Sequence, residues 1–506
     1  MRSMKDRAIL VLAVAVAAAI PAAASKVVTT PAVAPDVTGV VEASPLTAAD
    51  VAAARRRDDF AAMQEYRPGY PFWQHVFTLP DNSIAFGSAT DGRLLALFPA
   101  KGEWTRRAKW TDPSLARVLD GQPLARKVGD RRDQVAQLIE RAAGPVVNNS
   151  TRGDALVPNA RRYGAFLGEW GAIYERFGVP SDIGLAQVIL ESGLSAQRRS
   201  EANAIGFCQW LQKNWKRLNH ISPTPIEGKN QTTQAPYCAA YLSVLATKYG
   251  SFIPALSEHN AGGTNVGRTL INGERMGATD VRSQYLLGSQ LARDLRELPG
   301  KTYEDVYGSY GLRSYLYAEM VFGNTFIVKN LMAAPQEPIY AMRTPRAVTL
   351  AEIVKRTGLP VSEVRRFNPA LVDRVPAQSA LYLPTYVSEF GTDIAFWRRP
   401  ASTSYVAVLD DFMRLEAGPE RWDDPAFASV LSEFRRRFRD TNTEEGTVMD
   451  TVLAYVMDQA YTSGRRTLVA EFRSSDQVRR LIARGRFELV VLPRHATSNV
   501  AALTKK

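Results

Sequence analysis

Between residues 157 and 332 the apolar positions recur at helical spacing. Tyr163, Phe166, Leu167, Trp170, Ile173, Tyr174 and Phe177 fall at i, i+3, i+4, i+7, i+10, i+11 and i+14. That spacing lays one continuous apolar face along a helix. Gly178 supplies a stop, and Pro180 opens the next element. Ser181 or Asp182 can cap this second helix, which runs to Ser192 with Gly193 as its end. The pattern predicts further helices over 235–249, from about Ile253, over 283–295 and over 312–331.

The flanks read differently. Residues 48–64 have a helical pattern. Residues 75–99 hold three short apolar runs, 76–79, 83–86 and 94–98, split by Asp81-Asn82 and Thr90-Asp91-Gly92. Such turn-like breaks predict a small antiparallel meander, with Pro71, Phe72, Trp73 and Trp104 packed on it. Residues 333–346 contain Pro335, Pro338 and Pro345 and read as a linker. A compact unit follows over 346–386. The tail, 390–506, mixes helical patterns (406–415, 427–438, 447–461) with two strand-like runs, 467–472 and 487–492, and a helix between those runs. A chain of 506 residues exceeds one hydrophobic core. The expected division is an N-terminal domain with the meander (26–155), a helical domain (156–333), the compact unit (346–386) and a C-terminal α/β region (390–506) to which no role is assigned.

The first residues suggest export. Arg2, Lys5 and Arg7 precede an apolar run over 8–20, then Pro21 and Ala22-Ala23-Ala24-Ser25. A charged start, a short apolar stretch and small residues at the cut make a signal peptide over 1–25. The run falls short of a membrane span of ~20 residues, although an uncleaved anchor is the alternative. Residues 26–45, rich in Ala, Val, Pro and Thr, read as a flexible lead. The expected location is the periplasm or envelope of a bacterium. In such a compartment Cys208 and Cys238 either pair or stay as two separate buried thiols, and both alternatives remain open.

The composition, 45% hydrophobic and 23% charged, is that of an ordinary globular protein. A net charge of +12 would attract nucleic acid, an anionic membrane or an acidic polymer, or reflect a merely basic surface. No nucleic-acid-binding module is recognisable, so charge alone does not support that partner. His75, His220, His259 and His495 are scattered and no His/Cys cluster has zinc spacing. No metal and no cofactor is expected.

The candidate chemistry starts at Ile189-Leu190-Glu191-Ser192-Gly193-Leu194. One carboxylate ends an apolar helix, where the helix dipole and apolar neighbours both disfavour ionisation. A Glu kept protonated near neutral pH is a suitable general acid for a glycosidic oxygen. Downstream come Ser200, then Gly206-Phe207-Cys208-Gln209, then Tyr241-Leu242 in a helix ending at Tyr249-Gly250, then Ala255-Leu256-Ser257-Glu258-His259-Asn260-Ala261-Gly262. In this order, from about Tyr163 to Gly262 and more loosely to Leu331, the chain resembles the lysozyme-like catalytic domain of soluble-type lytic transglycosylases.

The resemblance implies that Glu191 is the catalytic acid and base. It implies that Ser192 bonds near the reacting sugar and that Gln209 and Asn260 line the saccharide groove. The family's late tyrosine matches Tyr315 best, in Arg313-Ser314-Tyr315-Leu316, with Tyr285 as a rival. The chain departs from the family where Cys208 replaces Met, His259 replaces the usual Tyr, and residues 210–215 replace a Pro-x-Thr-Ala stretch. Ordinary glycosidases use two carboxylates. The family needs one, because the sugar's own 6-hydroxyl displaces the leaving group and gives a 1,6-anhydro product. An internal nucleophile has a large effective molarity. Glu201, Glu227, Glu258 and Asp280 are the acidic neighbours, and none lies in a motif for a second catalytic carboxylate.

Residues 348–384 resemble a LysM module. Val348-Thr349-Leu350 leads into the first helix, Asn368-Pro369 follows the second, and Ala380-Leu381-Tyr382-Leu383-Pro384 closes the unit. The usual Gly-Asp-Thr is missing. A module holding glycan beside a glycan-cutting domain raises the local substrate concentration. The expected whole is therefore multidomain: a small N-terminal β-containing domain, a mainly α lysozyme-like catalytic domain, a βααβ LysM-like module and an α/β C-terminal region. The expected partner is the peptidoglycan glycan strand, with envelope proteins as further partners for the terminal regions. The competing readings are a hydrolytic muramidase and a non-catalytic wall-binding scaffold.

Overall fold

The computed structural model describes residues 48–195, 198–227, 230–294, 314–394 and 444–462. The expected signal peptide and lead, the helical patterns 406–415 and 427–438, the strand-like runs 467–472 and 487–492 and the helix expected between them lie outside the described residues. The described chain opens with α1, Ala48–Tyr66. A 3-10 turn, Tyr70–Phe72, leads into α2, Trp73–Thr78. The run at 76–79, expected as the first strand of a meander, is therefore the end of a helix. Its apolar residues serve a helical face: Trp73, Val76 and Phe77, at i, i+3 and i+4, are all buried.

The sheet that does form has four antiparallel strands in the order β3-β2-β1-β4. These are β1 (Ser83–Ser88), β2 (Leu94–Pro99), β3 (Lys109–Trp110) and β4 (Val146–Ser150), with Ile84 opposite both Phe98 and Ser150. A helix, α3 (Val128–Ala143), closes one face through Val135 and Ile139. Trp104 packs there as expected, 4.8 Å from the Phe98 ring. Phe72 crowds Gly87 of β1 so closely that a Cβ would lie 2.3 Å from its ring. Trp73 leaves the sheet and donates its indole N–H to Glu319 at 3.0 Å.

The helical body follows. Six residues of the predicted apolar face lie in α4 (Leu156–Arg176) and the seventh, Phe177, is its C-cap; all seven are buried. Next is α5 (Ser181–Ser192), which ends at Gly193 in the left-handed conformation, φ 59°. Neither Ser181 nor Asp182 caps it. Pro180 holds the N-cap position, and Asp182 inside the first turn pairs with Arg56 of α1 at 2.6 Å. A hairpin of two short strands, β5 (Ala204–Ile205) and β6 (Trp210–Leu211), precedes α6 (Gln212–Ile221). Then come α7 (Gln231–Tyr249), capped by the Asn230 side chain, and α8 (Phe252–Ala261), capped by Ser251. The body continues with α9 (Gly263–Arg275), α10 (Val281–Asp294) and α11 (Tyr317–Met332). Met63 of α1 and Trp73 of α2 share its apolar core, which therefore runs across residue 155. Cys208 and Cys238 are disulfide-bonded, tying the hairpin turn to α7.

Residues 333–346, expected as a linker, contain a strand, β7 (Tyr340–Arg343), with Ala341 and Met342 buried. Its prolines flank the strand without interrupting it. After it come β8 (Val348–Thr349), α12 (Leu350–Thr357), α13 (Val361–Phe367), β9 (Arg374–Val375), β10 (Ala380–Leu383) and β11 (Thr392–Asp393). β7 is central, paired antiparallel with β10 and β11, while β8 pairs with β9. Asn368 fixes α13 to β10, donating to the Tyr382 carbonyl at 2.7 Å and accepting from the Tyr382 amide at 2.9 Å. Phe367 and Tyr382 meet Phe166 of α4, so this unit rests on the helical body. The last described helix, α14 (Glu444–Thr462), packs on α6 and α7. The protein is multi-helical with small sheets and a mostly helical core, and no described helix is long and apolar enough to cross a membrane.

Candidate active site

Helix α5 is buried along nearly its whole length, and Glu191 sits in its last turn with 15% of its side chain exposed. The negative end of the helix dipole and the apolar surroundings both oppose a charge there. Burial pushes the Glu191 carboxyl up to about 7, against a hydrogen bond from Tyr317 that favours the anion. The Tyr317 hydroxyl, at the first position of α11, donates to Oε1 at 2.5 Å. Gln187, one turn earlier on α5 and fully buried, reaches the same hydroxyl at 3.5 Å.

His259 approaches from α8. Its Nε2 lies 3.5 Å from Glu191 Oε1 and 3.1 Å from the Cys208 carbonyl oxygen. A carbonyl only accepts, so Nε2 carries the hydrogen. Burial pushes the imidazole down to about 4, against the Cys208 hydrogen bond. Near neutrality His259 is therefore uncharged, and its closeness to Glu191 is not an ion pair. Among the described residues no other carboxylate contributes to the Glu191 titration. Glu258 is held by Lys248 at 2.6 Å and by the Tyr249 hydroxyl.

The residues singled out in the sequence are placed unequally. Ser192 is buried and its hydroxyl donates to the Val188 carbonyl at 3.0 Å, inside its own helix. Gln209, at φ 51°, uses its amide to clamp the carbonyls of Arg198 and Gly206 at 3.0 and 2.7 Å. Asn260 is exposed beside His259 and accepts from the Ser314 hydroxyl at 2.8 Å. Tyr315 is buried, with the Arg293 guanidinium 6.0 Å from its ring. Tyr285 donates to Ser257 at 2.5 Å. The tyrosine on the carboxyl is Tyr317, which the sequence did not single out. A 3-10 turn, Ser314–Leu316, sets which tyrosine faces α5, and the motif alone does not encode that rotation.

Tyr317→Phe removes a donor to the carboxylate and leaves the burial intact. A hydrogen bond to a charged group contributes roughly 1.5–3 kcal/mol, so the Glu191 midpoint should rise by at least about one pH unit. Carboxyl-carbon NMR across pH 5–9, assigned against a Glu191→Gln spectrum, checks this. An unmoved midpoint would show that the Tyr317 bond does not act on the carboxylate.

No known protein-family model matches the chain, and no curated protein matches it.

Proposed function

We propose that the chain is an exported peptidoglycan lytic transglycosylase, cleaving the β-1,4 bond between N-acetylmuramic acid and N-acetylglucosamine. The observation that carries this reading is the buried Glu191 carboxyl. Burial raises it to about 7, Tyr317 holds it through one oxygen, and no carboxylate among the described residues hydrogen-bonds to it. A two-carboxylate glycosidase needs a second acid about 5–10 Å away to act as nucleophile or to activate water. One carboxyl is enough where the substrate supplies its own nucleophile.

In the proposed reaction Glu191 gives its proton to the glycosidic oxygen as the bond to the anomeric carbon breaks. The substrate's N-acetyl group stabilises the positive charge that develops. The Glu191 carboxylate then takes the proton of the muramoyl 6-hydroxyl, whose oxygen closes on the anomeric carbon as a 1,6-anhydro bridge. The proton count balances, with Glu191 ending as it began. The helical body is read as a lysozyme-like catalytic domain. The unit over 346–386, with α12 and α13 tied to β10 through Asn368, is read as a LysM-like module that keeps glycan near the site.

The test is a digest of purified sacculi with the products weighed. Anhydro-muramic ends support the reading. Reducing ends without anhydro sugar would make the chain a hydrolytic muramidase, and binding without release would make it a wall-binding scaffold.

A further inference from the structure

Two donors converge on one oxygen of Glu191. Tyr317 donates to Oε1, and the His259 Nε2–H stands 3.5 Å from that same atom. No hydrogen bond among the described residues involves Oε2. Oε2 is thus the oxygen open to a ligand and the natural carrier of the transferable proton. The His259 N–H has a second acceptor, the Cys208 carbonyl, at 3.1 Å.

That carbonyl is held firmly. Gly206, at φ 81°, and Gln209, at φ 51°, turn the chain around it. The Gln209 amide clamps two carbonyls of the loop, the Phe207 amide donates to Gln234 at 3.3 Å, and the disulfide binds Cys208 to α7. A fixed acceptor and a nearby carboxyl therefore share one N–H. A neutral carboxyl oxygen is the weaker acceptor and a carboxylate the stronger. The geometry favours the carbonyl now, while an ionised Glu191 reverses the preference.

We propose that His259 is a positioning residue for Glu191. Its Nε2–H rests on the Cys208 carbonyl while the carboxyl is protonated, and turns to Oε1 once that proton has left. The N–H bond itself never breaks; only its acceptor changes. The anion formed in the acid step then has two donors on Oε1, which leaves Oε2 aimed at the hydroxyl it must deprotonate. This deepens the reading of Glu191 as acid and base, and rests on it.

The tyrosines facing the pair keep their protons in the working pH range. Tyr317 from α11, Tyr241 from α7 and Tyr174 from α4 are all pushed upward by burial. Glu258, whose charge acts on Tyr241, is paired with Lys248. Glu191 and His259, 3.5 Å apart, are the pair that report on each other.

The test follows the Glu191 carboxyl carbon by NMR in the full chain, with no substrate present. It is therefore independent of the product assay that decides the reaction class. In His259→Phe the anion loses a donor, so the Glu191 midpoint rises by about one pH unit. His259→Gln keeps an N–H within reach and returns the midpoint most of the way. Equal midpoints in wild type and His259→Phe overturn the proposal, as do equal shifts in both variants, which would mean packing alone. If His259→Phe does not fold, imidazole nitrogen NMR on the native protein decides. The Nε2–H form should persist across pH 5–8, with its Nε2 signal moving as Glu191 ionises. An Nδ1–H form, or an Nε2 signal indifferent to Glu191, overturns the proposal.

Discussion

Glu191→Gln should abolish wall lysis and, above neutral pH, make the protein more stable. On the proposed mechanism the variant cannot protonate the leaving oxygen or deprotonate the 6-hydroxyl. General acid–base catalysis contributes typically about 10²–10⁴-fold, and one residue serves both steps here, so a loss of at least about a thousandfold is expected. The stability gain has a separate origin. The folded Glu191 titrates near 7, against 4.5 for an unperturbed carboxyl. A raised carboxyl contributes its full stability below the unfolded value, and this is lost as pH rises through the folded one, because the unfolded chain releases the proton first. Gln carries no charge at any pH. The variant and the wild type should therefore melt together near pH 4. They should diverge through pH 5–7, and the variant should lead by something on the order of 3 kcal/mol above pH 8. Thermal melts across pH measure this beside the lysis assay. Loss of lysis with unchanged relative stability would mean that Glu191 ionises freely in the folded protein. A folded, fully lytic variant would remove Glu191 from the chemistry altogether.

The gain at high pH also separates the two ways a variant can fail. A misfolded Glu191→Gln would be inactive and less stable at every pH. An inactive variant that outlasts the wild type at pH 8 has lost only its proton. Stability of this kind, sacrificed at a functional site, is an expected cost of holding a titratable group in an apolar setting.

What could be read from the chain depended on how many residues repeated the same message. The apolar face of α4 was legible because seven positions agree on a helical period. Gly193 was legible because a left-handed residue ends α5, and glycine adopts that conformation without strain. The run at 76–79 was not, since four apolar residues fit a strand or a helix equally well. The strand at Tyr340–Arg343 was hidden by the prolines on either side of it. At the site, Glu191 stood out by its apolar helix, but Tyr317 did not. Which of Tyr315 and Tyr317 meets α5 depends on one turn of 3-10 helix that no periodicity records. Ser192 and Gln209 were chosen by motif, and both donate to backbone carbonyls near them in the chain. The shared His259 N–H and the pairing of Cys208 with Cys238 join segments far apart in the chain. Such contacts exist only once the helices have packed.

A pair 269 residues apart in sequence carries the second large effect. Arg176 ends α4 and Glu445 begins α14, with the Arg176 Nε donating to Glu445 Oε1 at 2.7 Å. Their side chains are 7% and 1% exposed. Each charge also suits its own helix, the cation at a C-terminus and the anion at an N-terminus. Arg176→Met leaves the Glu445 carboxylate buried without that guanidinium. Breaking a buried pair from one side costs about 3–5 kcal/mol, whereas replacing both partners by apolar side chains is often close to neutral. Arg176→Met should therefore lower the melting temperature markedly, and Arg176→Met with Glu445→Leu should recover most of the loss. Limited proteolysis adds the location, because a loosened α14 should be cut before the helices it packs on. Its Tyr455 stacks on Trp210 at 5.7 Å, and Trp210 meets Tyr241, which lies 6.0 Å from His259. Loosening α14 should thus reach the site through that aromatic row. The compensating double replacement keeps the row in place and should restore most of the Glu191 titration together with most of the melting temperature. A single variant that melts like the wild type would mean that α14 does not depend on this pair to stay docked.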